Sequence, residues 1–435
     1  MNTSRLQSSD IKTTVLERGV TVLSQNIPGM HTVTVGIWVK NGAAAEQYEE
    51  HGIAHFIEHL LFKGTSRRSA RQITREIDSL GAVLNAFTSY EYVCYYAKCL
   101  SGVLTPVMDV LTDIVLHATF PAEEVERERG VVLQEIHMRD DSPDDALHDQ
   151  LHTAFWGSNH PLGHHILGSE EHIQRLNRDA IMAYRYRLYR PEDIMVVAAG
   201  AVDHDALVTM VAAPFLQADL TDQPRDEAVM CGKKTSFNRQ THIIEREIGQ
   251  SLLGIATHGC AAASDDRFTL LLLNAVLGGG MSSRLFEQIR EKRGLAYSVY
   301  SYASSFRQGG MFAVYAGTAP SHLMESAGIM VEEMQRLTSE AVPEDELHGA
   351  KEQVKGKILM SLESSDSYMS RLARSYLYFG CAMPISSVLD GIDAVEGGEL
   401  QSLAQQLFEP TRYTITALGA VDDATRSYLR SFGTV

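Results

Sequence analysis

Gly52-Ile53-Ala54-His55-Phe56-Ile57-Glu58-His59-Leu60-Leu61-Phe62 is the stretch on which the reading of this chain turns. Its apolar residues surround three polar ones, and the pattern predicts a helix. On a helix, residues i and i+4 lie on one face, so His55 and His59 project together. Two neutral imidazoles placed this way can reach one metal ion, with Glu58 beside them. Zinc takes imidazole nitrogens at about 2.0–2.1 Å, and a catalytic zinc keeps one position open for water. A glutamate that is not itself a ligand is then available to take a proton from that water.

The same five residues have a plainer reading, a coincidence on a buried amphipathic helix, and that reading supplies no third ligand. Downstream, Pro121-Ala122-Glu123-Glu124-Val125-Glu126-Arg127-Glu128 opens a second predicted helix that continues through Val131-Val132-Leu133-Gln134-Glu135-Ile136. Proline in the first turn with acids after it suits a helix N-terminus. Glu128 and Glu135 stand two turns apart, on one face. An acid-rich helix is ordinarily solvated. Glu135, however, lies among Val131, Val132, Leu133 and Ile136, where partial burial would demand a partner for its carboxylate. A metal would be such a partner.

These residues carry a resemblance. His-x-x-Glu-His is the inverted zinc-protease pattern. With the glutamate helix at its distance from His59, the chain resembles the pitrilysin/insulysin family of zinc metallopeptidases, in its mitochondrial processing peptidase branch and that branch's bacterial relatives. The likeness extends through nearly the whole chain. It implies that His55, His59 and Glu135 ligate one Zn2+ per chain, that Glu58 is the general base, and that Glu128 supports the ligands from behind. Asn85-Ala86-Phe87-Thr88 resembles the family's substrate-pairing edge strand. His160-Pro161-Leu162-Gly163 and Leu167-Gly168 resemble a loop that follows the long helices of the zinc domain. Gly278-Gly279-Gly280-Met281-Ser282-Ser283-Arg284-Leu285-Phe286 resembles the glycine-rich loop, and Arg293 and Tyr297 the Arg/Tyr pair that the second half lends to the active site.

An internal repeat organises the rest. Leu188-Tyr-Arg-Pro191 through Gly200-Ala-Val-Asp203 is echoed by Leu407-Phe-Glu-Pro410 through Gly419-Ala-Val-Asp422. A fainter echo joins Phe120-Pro121 to Val342-Pro343. The chain therefore reads as two copies of one domain. They are an N-terminal zinc-binding catalytic domain over 1–215, a polar linker over 216–238, and a C-terminal domain without metal over 239–435. The helix predicted over Arg267–Leu277 takes the place of the histidine helix and has no His or Glu. The displacement that joins Pro121 to Pro343 carries Glu135 onto Lys357, and an ammonium is no zinc ligand.

Strand-like runs such as Thr32–Val39 and Tyr92–Ala97 alternate with helical ones, but not in strict β-α-β order. The expected fold is α+β: two homologous α/β sandwich domains, each a mainly antiparallel sheet with helices packed on one side. At 435 residues, with 44% hydrophobic residues, the chain is long enough for more than one core.

Composition narrows the function classes. A net charge of −17 disfavours nucleic acid as a partner and serves solubility. No apolar run approaches the ~18 residues a membrane span needs. Met1–Asp10 has no apolar core of a secretory signal, so a cytoplasmic location is expected. Five cysteines without a Cys-x-x-Cys read as reduced buried thiols, and Cys94 and Cys99, at odd spacing on one strand, should face opposite ways. His148 and His152 form a second i, i+4 pair, with His160, His164 and His165 near in sequence. Their one interleaved acid, Asp149, does not stand directly before the second histidine as Glu58 does before His59, and they read as surface or cavity-wall residues. No Gly-Lys-Ser/Thr follows the triple glycine, so it is not a phosphate loop, and it is expected to be mobile.

The resemblance implies an endopeptidase acting on peptides or unfolded segments in a closed chamber. One chain holds the zinc motif, the glycine loop and the Arg/Tyr pair, so a homodimer is expected. The competing expectations are a scaffold subunit without catalysis and a peptide-binding module that uses the chamber without hydrolysis.

Overall fold

Eight consecutive residues of β3 (Thr32–Val39) show how the first sheet is covered. Seven of them are buried, which no strand with one solvated face would allow. In the computed structural model, which describes residues 11–221 and 239–432, β3 lies inside a six-stranded sheet. Its other strands are β1 (Ile11–Val15), β2 (Thr21–Asn26), β4 (Val83–Thr88), β5 (Val93–Leu100) and β6 (Ile194–Gly200). The order is β1-β2-β6-β3-β5-β4, with only β2 and β6 parallel. A second, five-stranded sheet contains β7 (Gln240–Ile244), β8 (Ser251–Gly259), β9 (Ala296–Ser305), β10 (Gly310–Thr318) and β11 (Thr414–Leu418). Its order is β7-β11-β8-β10-β9, with only β7 and β11 parallel.

The two orders superimpose the predicted repeat on the strands: β2-β6-β3-β5-β4 runs like β7-β11-β8-β10-β9. Gly200 ends β6 at φ +119° and its echo Gly419 follows β11 at φ +120°. A Cβ at Gly200 would meet the carbonyl oxygen of Thr32 at 2.2 Å, and one at Gly419 that of Gln250 at 2.6 Å. Only glycine fits either turn.

In chain order the helices of the first half are α1 (Ile53–Leu61), α2 (Ala70–Ser79), α3 (Leu104–His117), α4 (Ala122–Asp141), α5 (Pro143–Trp156), α6 (Glu170–Arg175), α7 (Arg178–Leu188) and α8 (His204–Gln217). Those of the second half are α9 (Arg267–Leu277), α10 (Leu323–Ser339), α11 (Glu344–Ser361), α12 (Ser365–Phe379), α13 (Ile385–Ala394), α14 (Gly397–Leu407) and α15 (Asp423–Ser431).

Contacts divide the chain into two discontinuous units. The first takes residues up to His137, those from His164 to the end of α8 and Ser361–Ser386; the second takes Met138–Gly163, the stretch from β7 to Met360, and the remainder from Ser387. Duplication and compactness thus divide the chain differently. Helix α5 belongs by sequence to the first repeat and by contact to the second unit. Helix α12, its counterpart, belongs to the first unit. The expected linker over 216–238 lies outside the described residues from 222 onward.

Helices on one side of each sheet, as the sequence suggests, are only half of the arrangement. In the first unit Val33, Val35, Ile37 and Val39 face a core shared with Ile53, Phe56, Ile57 and Leu60 of α1 and Val107, Leu111 and Ile114 of α3. The alternate residues of β3 meet α12. Thr34 Oγ1 lies 2.8 Å from Ser365 Oγ, and Trp38 Nε1 donates to Met369 Sδ at 3.1 Å. In the second unit Leu253, Ile255, Phe312 and Val314 face α9 and α10, while Leu252, Tyr315 and Leu418 pack on Leu147 of α5. The sequence could not show this, because the covering helix comes from the other repeat. Cys94 and Cys99 are buried, unpaired and on opposite faces of β5, as their spacing requires. Among the described residues no helix is long and apolar enough to cross a membrane.

Candidate metal centre

Helix α1 begins at Gly52, which takes a left-handed conformation at φ +93°. It buries Ile53, Phe56, Ile57, Leu60 and Leu61 in the core. That fixes its rotation, and the polar face carrying His55, Glu58 and His59 is turned toward α4. On α4 the buried residues are Val125, Glu128, Val132 and Ile136. A glutamate thus occupies one position of an otherwise apolar stripe.

The two helices bring three ligand atoms together. His55 Nε2 lies 3.7 Å from Glu135 Oε2 and His59 Nε2 lies 3.5 Å from the same oxygen. All three groups offer an atom within 4.8 Å of the others. In a tetrahedral zinc site with bonds of about 2.0–2.1 Å, ligand atoms stand roughly 3.3–3.4 Å apart. Glu135 keeps 45% of its side chain exposed, so the group opens to solvent on one side. No other cluster of this kind occurs among the described residues. Two imidazoles and one carboxylate are a suitable donor set for zinc.

The surroundings orient His59 and keep His55 neutral. His59 Nδ1 lies 3.3 Å from Glu128 Oε2, and Lys63 Nζ makes an ion pair with the other oxygen, Glu128 Oε1, at 2.7 Å. With Nδ1–H donated to a carboxylate, the Nε2 lone pair of His59 faces Glu135. Burial, and then the neighbouring His59, pull His55 down to about 4, so this imidazole is neutral. The carboxylate of Glu135, followed by Glu128, raises His59 against the effect of burial. A cation at the centre would oppose that protonation.

Glu58 points to the same face and is not among the converging ligands. Thr88 Oγ1 donates a hydrogen bond of 2.5 Å to its Oε2. Burial raises the Glu58 carboxyl above its ordinary range, and the Thr88 hydroxyl draws it back. A proton acceptor with a raised pKa suits general base chemistry near neutrality.

The stretch expected to pair with substrate, Asn85–Thr88, lies on β4, at the edge of the first sheet. The backbone N–H of Ala86 is held by Asn85 Oδ1 at 2.8 Å, and Phe87 packs edge-on against Trp38 with ring centroids 5.5 Å apart. Arg293 and Tyr297 belong to the second unit, before and within β9. Arg293 Nη1 donates to the carbonyl oxygen of Gln288 at 2.8 Å. Tyr297 is 83% exposed, with the Arg290 guanidinium 4.9 Å over its ring.

At each position of the triple glycine an added Cβ would stand less than 3 Å from another residue's atom. A Cβ at Gly278 would meet the Ser301 backbone nitrogen at 2.3 Å, and Lys357, standing where Glu135 stands in the first repeat, donates to the carbonyl oxygen of Gly279 at 2.6 Å. The second histidine pair is engaged by protein groups. His148 is bracketed by the hydroxyls of Tyr300 at 2.8 Å and Tyr302 at 3.0 Å, and His152 packs beside Trp156 and Phe306. The parts not anticipated are Thr88 as a partner of Glu58 and Lys63 as a partner of Glu128. Lys63 left a signal, since it lies one turn beyond His59 at the exit of α1. Thr88 left none.

Residues 21–170 match the insulinase (peptidase family M16) family, and residues 175–354 match its M16 inactive domain. An uncharacterized zinc protease of Bacillus subtilis is 37% identical over 92% of this chain and 96% of its own length. One of Mycobacterium leprae is 38% identical over 95% of this chain and 92% of its own. A protease from Helicobacter pylori, at 22% identity, superimposes with a TM-score of 0.86 over 94% of this chain and 99% of its own, and so shares the fold. Sequence and architecture together place the chain in the M16 (insulinase) family of peptidases.

Proposed function

We propose that this chain is a zinc-dependent endopeptidase that cleaves peptides or unfolded segments. The convergence of His55 Nε2, His59 Nε2 and Glu135 Oε2 beside Glu58 supports the reading most directly. Bound there, zinc would polarise the scissile carbonyl and lower the pKa of a water molecule toward ~7.

The remaining work falls to the chain's own groups. Glu58 Oε1 or Oε2 takes the proton of the attacking water and returns it to the leaving amine. Thr88 holds that carboxylate in place through its hydroxyl. Glu128, paired with Lys63, keeps His59 in the tautomer whose Nε2 binds metal. The open edge of β4 at Asn85–Thr88 adds an extended peptide as a further strand. That step requires Asn85 to release the N–H of Ala86. Tyr297 donates to the developing oxyanion and Arg293 anchors a substrate carbonyl.

The second repeat has a lysine in place of the third ligand and takes up no metal, so one zinc per chain is expected. A homodimer enclosing a chamber would admit unfolded peptides and exclude folded proteins. The cysteines among the described residues are free, two of them buried, which suits a reducing, cytoplasmic setting. The test is to incubate the zinc-loaded chain with an unstructured basic peptide and read the products by mass spectrometry. Internal cleavage supports the proposal. A zinc-loaded chain that leaves every unfolded peptide intact would point to a scaffold or peptide-binding role.

A further inference from the structure

The loop His164–Gly168 and the carboxylate of Glu46 meet at the start of α1, one turn before the first histidine of the metal centre. Glu46 has no exposed side-chain surface. Its Oε1 accepts the backbone N–H of Ala54 at 2.9 Å, and its Oε2 accepts that of Gly52 at 2.9 Å. These are among the N–H groups that a helix start leaves without a partner. His164 Nε2 lies 3.1 Å from Glu46 Oε2 and 3.1 Å from the carbonyl oxygen of Ala43, so it donates to this pair of acceptors. The His164 ring stacks on His51 with centroids 3.7 Å apart and planes 4° from parallel. Burial pulls both imidazoles down to about 4, so the stack is neutral near pH 7.

Backbone fits as closely as side chains do. A Cβ at Gly168 would meet the carbonyl oxygen of His51 at 2.3 Å, and one at Gly52 that of Leu167 at 2.6 Å. The carbonyl oxygen of His164 accepts from Tyr90 Oη at 3.1 Å. Tyr90 lies two residues beyond Thr88, the partner of Glu58. One loop is therefore tied both to the entry of α1 and to the turn that follows the edge strand.

We propose that Glu46 and His164 are positioning residues for the metal centre. They set the axial position and tilt of α1, and through it the place of His55 and His59 relative to Glu135. This rests on the metal centre proposed above. A carboxylate with two N–H donors from one helix resists sliding of that helix along its axis. Replacing Glu46 by glutamine keeps the volume but turns an amide NH2 toward a backbone N–H. His164→Phe keeps the stack on His51 and removes the donor to Glu46.

The readout is the affinity of the folded chain for Zn2+, by competition with a chromogenic chelator well below the unfolding temperature. Glu46→Gln is expected to weaken zinc binding roughly tenfold to a hundredfold, as outer partners of metal ligands do. His164→Phe should act in the same direction, and it decides the matter if Glu46→Gln fails to fold. A merely structural role would lower Tm equally with and without zinc and leave the affinity unchanged. Wild-type affinity in both variants, with His55→Ala abolishing binding, would overturn the brace and leave the metal centre standing. Wild-type chain that takes up no zinc, or His55→Ala that binds as well as wild type, would overturn the metal centre itself.

Discussion

Nδ1 of His59 stands 3.3 Å from Oε2 of Glu128, and that contact decides which nitrogen His59 can offer to a metal. A carboxylate there accepts the ring's N–H and leaves Nε2 with its lone pair. A glutamine can turn its NH2 to the ring and favour the other tautomer. Glu128→Gln is therefore expected to lower zinc affinity about tenfold to a hundredfold while the chain stays folded. Chelator competition checks this, and unchanged affinity would remove Glu128 from the centre.

Lys63 is the cation that accompanies Glu128 into the protein. Its side chain is 30% exposed against 5% for Glu128, so Lys63→Met leaves a nearly buried carboxylate without its ion pair. A stability loss on the order of 2 kcal/mol is expected, below the roughly 3–5 kcal/mol of a fully buried pair. Denaturant unfolding of the zinc-free chain measures it.

Thr88 and Glu58 predict a pH effect whose sign can be worked out. Burial raises the Glu58 carboxyl and the Thr88 hydroxyl lowers it. A general base works only when deprotonated, so activity falls as pH drops through the pKa of Glu58. Removing the hydroxyl raises that pKa further. Thr88→Val should shift the acid limb of kcat/KM to higher pH and lower kcat about tenfold, and Thr88→Ser should restore both. An unmoved limb would deny the contact a catalytic part.

Tyr297→Phe tests the contribution of the second unit. An oxyanion donor is worth about 10²–10³ in kcat. The residue is 83% exposed, so neither Tm nor zinc content should change. An unchanged kcat would remove Tyr297 from the site.

Gly278 should tolerate no side chain. Alanine there puts a carbon 2.3 Å from the Ser301 nitrogen and 2.6 Å from its Oγ, and neither backbone can yield cheaply. Gly278→Ala is expected to cost about 1–3 kcal/mol, seen as a lower Tm. Gly249→Ala, with no atom within 4 Å, serves as the control and should leave Tm nearly unchanged.

What the sequence disclosed follows the reach of its signals. His55, Glu58 and His59 share a helix face by local periodicity, and Glu128 and Glu135 do likewise on α4. The likeness of the two strand orders follows from the duplication visible at Gly200 and Gly419. The exchange of α5 and α12 between units was hidden, because no local pattern says which sheet an amphipathic helix will cover. Thr88 meeting Glu58, and Glu46 meeting Gly52 and Ala54, depend on side chains that become neighbours only after the sheet and α1 have packed.

The most direct test of the whole account compares wild type with Glu58→Gln for two quantities in one preparation, zinc per chain and turnover of an unstructured basic peptide. The account predicts one zinc per chain in both proteins and turnover in the wild type alone. Full turnover in Glu58→Gln, or a wild-type chain that cleaves equally well after its zinc is removed, would contradict it.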